Sequence, residues 1–329
     1  MSTPIQEPEP RNPYYHTAMV RDPDLFFGRQ NTIRRLYASM RDRQCISLVG
    51  PRRIGKSSLL GALTSREVLA RFGYVLDEQV LAYVDTSAQP LQSYEDLLEY
   101  ISGQLVAQNQ ARLSSLRRQP KRDVNQFRQF LEDIKALGLY PILLLDEFES
   151  IAGARQFELP FFSFLRSQAN VGMISYITAS KDSLNKVCHV DLVGSPFFNI
   201  FSALKVGALT SDETRELIMV PAEKAGVPFN SAEVAWIVDM AGHHPFFIQR
   251  ACHFLFEAKS LRLHARLDLQ AIEQQVYAEL LPHFDYAWSH LGTDLEELLA
   301  WEARREGVSR RSVPELSESR LFRRFVCEE

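Results

Sequence analysis

The stretch Gly50-Pro51-Arg52-Arg53-Ile54-Gly55-Lys56-Ser57 limits what this 329-residue chain can become more than any other. It fits the pattern G-x-x-x-x-G-K-[ST]. An apolar run at 44–49 leads straight into it, and a helical pattern over 56–69 follows. Strand, glycine-bearing loop and helix in that order make an anion nest, because the loop's backbone N–H groups and the helix N-terminus point at one spot. Gly55 lets the backbone approach a phosphate closely. Lys56 reaches the β- and γ-phosphates, and the Ser57 hydroxyl can hold Mg²⁺. The expected phosphate-binding residues are therefore Gly50, Pro51, Arg52, Arg53, Ile54, Gly55, Lys56, Ser57 and Ser58, with ATP or ADP and Mg²⁺ as cofactors. A G-x-G-x-x-G fingerprint is absent, so a dinucleotide-binding dehydrogenase is not supported.

Hydrophobic periodicity supplies the surroundings. Short apolar runs at 80–84, 140–145 and 172–178 read as further buried strands, and helical spacing marks 31–40, 94–111, 124–137 and 157–169. Strands alternating with helices imply right-handed crossovers and a parallel sheet with helices on its faces. After 178 the pattern changes to helices at 211–225, 231–241, 245–258 and 269–281, with no convincing buried strand. The expected fold is thus α/β, a parallel P-loop NTPase sheet followed by an all-helical lid. Residues 1–24, with Pro4, Pro8, Pro10, Pro13 and Pro23, read as an extended lead-in, 25–205 as the α/β domain and 206–284 as the lid.

A second feature sharpens the first. The run Leu143-Leu144-Leu145 ends in Asp146-Glu147. Parallel strands bring their C-terminal ends to one edge of the sheet, so these carboxylates belong beside the phosphate loop. Asp146 is expected to hold Mg²⁺ and Glu147 to orient and polarise the attacking water. Ser180 and Lys181 end the 172–178 run at the same edge, where a hydroxyl could meet the γ-phosphate and an ammonium could add charge. The pair His243-His244 before Pro245 reads as a turn with proline at the first helical position, and adjacent histidines rarely converge on one ion.

Composition removes other classes. Charged residues are 24% and hydrophobic residues 46%, with a formal net charge of -4, which excludes a disordered or collagen-like chain. Cys45, Cys188, Cys252 and Cys327 are too scattered for a zinc or redox motif and read as reduced thiols of a cytoplasmic protein. The N-terminus lacks a basic segment followed by an apolar one, and no apolar run approaches the ~20 residues of a membrane span.

Taken in order, Asn12-Pro13-Tyr14, Asp22-Pro23, Phe26-Phe27-Gly28-Arg29, the phosphate loop, Leu145-Asp146-Glu147, Ala179-Ser180-Lys181, Leu209 to Ser211 and Gly242 to Gln249 resemble the STAND class of AAA+-related ATPases. The resemblance covers about residues 12–260. It implies that Phe27 and Arg29 lie against the adenine and its sugar, that Pro245 closes over the nucleotide, and that Ser180 is the sensor-1 position. The family usually has Arg after that position, and here it is Lys181. No sensor-2 arginine is evident, Arg250 reading as an exposed helix residue, and Arg166 is the candidate for an arginine finger given in trans. The family also implies a winged helix, whole or partial, over 285–329. Because no sensor or effector region follows it, the chain is expected to be part of a longer protein or to rely on a partner chain.

The resulting expectation is an ATPase of low turnover, a molecular switch that self-associates or meets a partner protein in its ATP state and serves defence or regulation. Two alternatives stand beside it. One is a DNA-acting AAA+ ATPase of the origin-recognition or transposition-regulator kind. It would use the basic cluster of Arg112, Arg117, Arg118, Lys121 and Arg122, or that of Arg304, Arg305, Arg310, Arg311, Arg320, Arg323 and Arg324. Such runs are more often solvated faces, so DNA is not the favoured partner. The other is a nucleotide-binding adaptor without turnover.

Overall fold

The structure, a computed structural model, describes residues 10–14, 18–88, 91–116, 123–193, 195–261, 267–289, 316 and 318–328. The chain divides into two compact units, Met19–Val206 and Met1–Ala18 with Gly207–Glu329.

The first unit is a five-stranded parallel sheet flanked by helices. Its strands are β1 (Cys45–Val49), β2 (Gln79–Asp85), β3 (Tyr140–Asp146), β4 (Ser175–Ser180) and β5 (Phe201–Lys205), in the order β2-β3-β4-β1-β5. The strand carrying Ser180 therefore lies between the one entering the phosphate loop and the one ending in Asp146. Register confirms that these ends emerge together: Val49 pairs with Ser180, Leu145 with Thr178 and Asp85 with Asp146. All seven residues of β3 are buried, as expected for a parallel strand covered on both faces. One face packs under an aromatic layer that includes Phe127, Phe130, Phe148, Phe162 and Phe197, and the other under Ile33, Leu36, Leu59 and Leu60.

The helices of this unit are α1 (Gln30–Arg41), α2 (Lys56–Thr64), α3 (Arg66–Arg71), α4 (Tyr94–Gln108), α5 (Gln110–Leu113), α6 (Val124–Ala136), α7 (Glu149–Ala152), α8 (Leu159–Asn170) and α9 (Leu184–Val187). Two expected helices are each split. Ser65 is extended and its hydroxyl accepts the Val68 N–H at 3.2 Å, which caps a new helix. Asn109 interrupts 94–111 and turns its amide to the Leu81 and Leu105 carbonyls. The fourth strand starts at Ser175 and not at 172, since Gly172 is spent closing α8 with φ 67°. The expectation of no strand after 178 is overturned by β5. It is an edge strand in which Leu204 alone is fully buried, so no apolar run announces it.

The second unit contains α10 (Ser211–Lys224), α11 (Ser231–Ala241), α12 (Pro245–Ser260), α13 (Leu269–Ser289) and α14 (Arg320–Glu328). Reciprocal capping boxes start α10 (Thr210 with Glu213) and α11 (Asn230 with Glu233). Arg250, expected to be exposed, is 5% exposed: α13 runs beside α12 and its Glu279 pairs with the guanidinium, Nε to Oε1 2.6 Å. The N-terminal segment is also more than a lead-in. Tyr14 is buried, stacks on Phe229 and donates to the Ile218 carbonyl, while Asn12 donates to Glu257 Oε1 at 2.6 Å. Helix α13 runs through position 285, and Phe284 on it meets Phe322 and Phe325 of α14. The rest of the expected winged helix, 290–315, lies outside the described residues, as do Arg117, Arg118, Lys121, Arg122 and the arginines at 304, 305, 310 and 311. Among the described residues, no helix is long and apolar enough to cross a membrane.

Candidate functional site

The phosphate loop is built from both ends. At its start Gly50 is closely enclosed, since a Cβ would lie 2.4 Å from the Val206 carbonyl oxygen and force a shift. Inside the loop, Ile54 is fully buried and anchors it to the core beside Leu48 and Leu59. Arg53 (φ 64°) and Gly55 (φ 98°) both take the left-handed conformation, which turns successive N–H groups to one side. Gly55 is the N-cap of α2 and has no side chain to block that helix's free amides.

Lys56 sits on the first turn. Its Nζ donates to the carbonyls of Gly50 (2.7 Å) and Pro51 (3.0 Å), bending the side chain back over the loop. Burial lowers its pKa, an effect opposed by the carboxylates of Glu147, Glu149 and Asp146. Ser57, on the same turn, is half-buried, and the Ser58 hydroxyl accepts the Val20 N–H at 3.0 Å. Pro51 is half-buried, and Arg52 and Arg53 are exposed. The Arg52 charge is close enough to pull the Glu147 pKa down. Arg29 is 8% exposed and its Nη2 donates to the Ile54 carbonyl at 2.7 Å, so it braces the loop from outside the motif. Phe27, two residues earlier, is half-buried.

Asp146 ends β3 at 3% exposure. Its Oδ1 accepts the Glu147 N–H (3.1 Å) and its Oδ2 accepts the Tyr83 hydroxyl (2.7 Å). Glu147 is a non-glycine residue at φ 49°, a strained conformation of the kind that clusters at functional sites. Thr86 holds it there: its hydroxyl lies 2.8 Å from each of the Asp146 and Glu147 carbonyl oxygens and shares its one proton between them. Burial raises the Glu147 pKa, helped by the charges of Glu149 and Asp146 and opposed by Lys56 and Arg52. That mutual influence brings the ammonium after β1 and the carboxylates after β3 into one electrostatic neighbourhood.

The end of β4 is tied to the same place. The Phe148 N–H donates to the Ala179 carbonyl (3.0 Å), the Gly50 N–H to the Ser180 carbonyl (3.3 Å) and the Lys181 N–H to Glu149 Oε1 (3.2 Å). Glu149 Oε2 is buried without a hydrogen-bond partner among the described residues. The Ser180 hydroxyl donates within its own turn, to the Asp182 carbonyl at 2.7 Å. Pro245 belongs to the second unit, at the first position of α12. There Gly242 and His243 form the turn, with Leu209 N–H donating to the His243 carbonyl at 3.0 Å.

Tyr83, Thr86 and Glu149 are the residues that reading the sequence missed. Tyr83 carried a usable signal, since it lies two positions before Asp85, the register partner of Asp146, and side chains two apart share a face of a strand. The donor set suits a hard cation. The Ser57 hydroxyl and the Asp146 carboxylate are oxygen ligands, and Mg²⁺ is usually held by one or two carboxylates together with substrate phosphates. Among the described residues, no group of three or more His, Cys, Asp or Glu could hold an ion alone. Mg²⁺ at Asp146 would take the rest of its shell from water and phosphate oxygens.

This fold and this loop define a P-loop NTPase. A family model described as novel STAND NTPase 2 matches residues 41–308, and the chain belongs to that family. Among solved structures, a Walker-type ATPase of Pyrococcus abyssi is similar with a TM-score of 0.62 at 14% identity, covering 88% of this chain and 83% of that one. The ADP form of the Aeropyrum pernix ORC2 protein is similar with a TM-score of 0.60 at 15% identity, covering 90% and 79%. Identities this low speak for the fold alone. No curated protein was found to match the chain.

Proposed function

We propose that the chain binds ATP with Mg²⁺, hydrolyses it slowly and acts as a switch whose bound nucleotide controls self-association or signalling. The observation that carries this reading is the meeting of the left-handed phosphate loop and Lys56 with Asp146 and Glu147 on either side of β4. The known structure of the ORC2 relative in its ADP form supports adenine nucleotide as the ligand.

The chemistry is in-line attack of water on the γ-phosphorus. A new bond forms from the water oxygen to phosphorus, and the bond from phosphorus to the β–γ bridging oxygen breaks. Glu147 orients the water and takes its proton, a role favoured by a pKa raised above the ordinary carboxylate range. The loop N–H groups and Lys56 stabilise charge on the phosphate oxygens. Ser57 and Asp146 would hold Mg²⁺, which would supply positive charge to the phosphate oxygens. Ser180 completes this set of proposed site residues as a member of the β4 turn. Phe27, Arg29 and Pro245 carry the adenine-side and closing roles that the family resemblance implies.

Glu147→Gln tests the assignment. The variant should still bind ATP, while phosphate release falls by about 10²–10⁴-fold. Normal release would remove Glu147 from the mechanism. In the same variant, mass measured by light scattering should be larger with ATP than with ADP, and equal masses would remove self-association from the proposal.

A further inference from the structure

We propose that Tyr83 is a positioning residue that fixes the Asp146 carboxylate in the orientation needed to hold Mg²⁺ with the nucleotide, an inference that rests on the nucleotide reading above. A carboxylate offers about four lone-pair sites. At Asp146 one site on each oxygen is committed, Oδ1 to the Glu147 N–H and Oδ2 to the Tyr83 hydroxyl. Two donors on opposite oxygens stop rotation of the group and leave its remaining lone pairs in fixed directions. With Asp146 at 3% exposure, solvent has little access to do the same.

The geometry behind the contact is set by strand register. Asp85 lies opposite Asp146, so Tyr83 is the diagonal neighbour on the same face, within reach of a long aromatic side chain. The Tyr83 hydroxyl reaches Asp146 Oδ2 at 2.7 Å and, facing a carboxylate oxygen, is the donor of that bond. Tyr83 is itself held. It lies on β2, at the edge of the sheet, where its outward backbone groups face no strand among the described residues. The Gln108 amide takes both of them, accepting the Tyr83 N–H at 2.9 Å and donating to its carbonyl at 2.7 Å. Gln108 is fixed in turn by Gln104 at 2.8 Å. A chain of hydrogen bonds thus runs from α4 through the edge strand to Asp146. Groups that orient a metal ligand in this way typically change metal affinity by about 10–100-fold when removed.

The test is ATP binding followed by calorimetry, as a function of MgCl₂ and separately in EDTA. Tyr83→Phe should raise the half-saturating Mg²⁺ concentration by about 10–100-fold and leave binding in EDTA unchanged. Gln108→Ala should move the Mg²⁺ requirement the same way by less, because it loosens the strand without removing the hydroxyl. Unchanged Mg²⁺ half-saturation in Tyr83→Phe overturns the inference. So does an equal loss with and without Mg²⁺, which would make the residue structural. If the wild-type chain shows no Mg²⁺-dependent ATP binding, the nucleotide reading itself fails and the inference falls with it.

Discussion

The two glycines of the phosphate loop look alike in the motif, but the structure gives them different reasons to be glycine, and substituting each tests that difference. An ideal Cβ at Gly50 would stand 2.4 Å from the Val206 carbonyl oxygen and 3.2 Å from Ile54 Cγ2. Val206 cannot easily yield, because its own N–H donates to the Val49 carbonyl at 2.8 Å. At Gly55 a Cβ would meet nothing within 4 Å, yet φ is +98°. Gly50→Ala is therefore an overpacking change, costing about 1–3 kcal/mol. Gly55→Ala is a conformational one, costing about 1–2 kcal/mol. In a unit the size of Met19–Val206, each kcal/mol lowers the unfolding midpoint by about 2–4 °C, so the falls should be about 2–12 °C and 2–8 °C. Calorimetric melting without and with ATP reads both effects. Wild type should gain about 2.7 kcal/mol at a hundred times its Kd. That gain should shrink in both variants, because one displaces the first residue of the loop and the other strains the N-cap of α2. A Gly50→Ala protein with the wild-type midpoint and the wild-type ATP gain would refute the packing argument.

Other consequences can be checked separately. Arg29→Ala removes a buried charged donor from the Ile54 carbonyl and should cost about 1.5–3 kcal/mol, with weaker ATP binding; equal ATP affinity would detach Arg29 from the loop. Glu279→Ala leaves the Arg250 guanidinium buried and unpaired, and should destabilise the second unit by about 3–5 kcal/mol in denaturant unfolding, whereas a loss under 1 kcal/mol would contradict the pairing. The pH profile of hydrolysis follows from Glu147. Its carboxylate must be ionised to take a proton, and folding raises its pKa, so activity should fall on acidification at a pH above the ordinary carboxylate range. Glu149→Gln removes a neighbouring negative charge, eases that ionisation and should move the acid limb to lower pH; an unmoved limb would contradict the electrostatic coupling.

Much of this architecture is legible in the sequence, for physical reasons that also explain the gaps. Strands β1 to β4 are announced by apolar runs because a parallel strand is covered on both faces. Strand β5 is not, since Leu204 alone of its residues is fully buried. Ser65 and Asn109 fall inside helical apolar patterns, and their side-chain hydrogen bonds to the backbone, which break those helices, leave no mark on periodicity. The phosphate loop and Asp146-Glu147 are local in sequence and readable. Arg29 reaches the loop across 25 positions from the N-cap of α1, while Thr86 reaches Glu147 across 61 and Tyr83 reaches Asp146 across 63 because the register of β2 against β3 brings them together. Arg250 looks like a surface residue until α13 supplies Glu279. The docking of Tyr14 beside Phe229 and Phe256 is likewise a long-range contact that a proline-rich segment does not advertise.

The central claim is that the loop from Gly50 to Ser58 binds ATP through Lys56, whose ammonium bends back over that loop. Titration of the wild-type chain and of Lys56→Ala with ATP and Mg²⁺, read by calorimetry, tests it most directly. The account predicts saturable one-to-one binding by wild type and none by the variant, with the variant's unfolding midpoint in the absence of nucleotide close to that of wild type. Equal ATP affinity in the two proteins would contradict it.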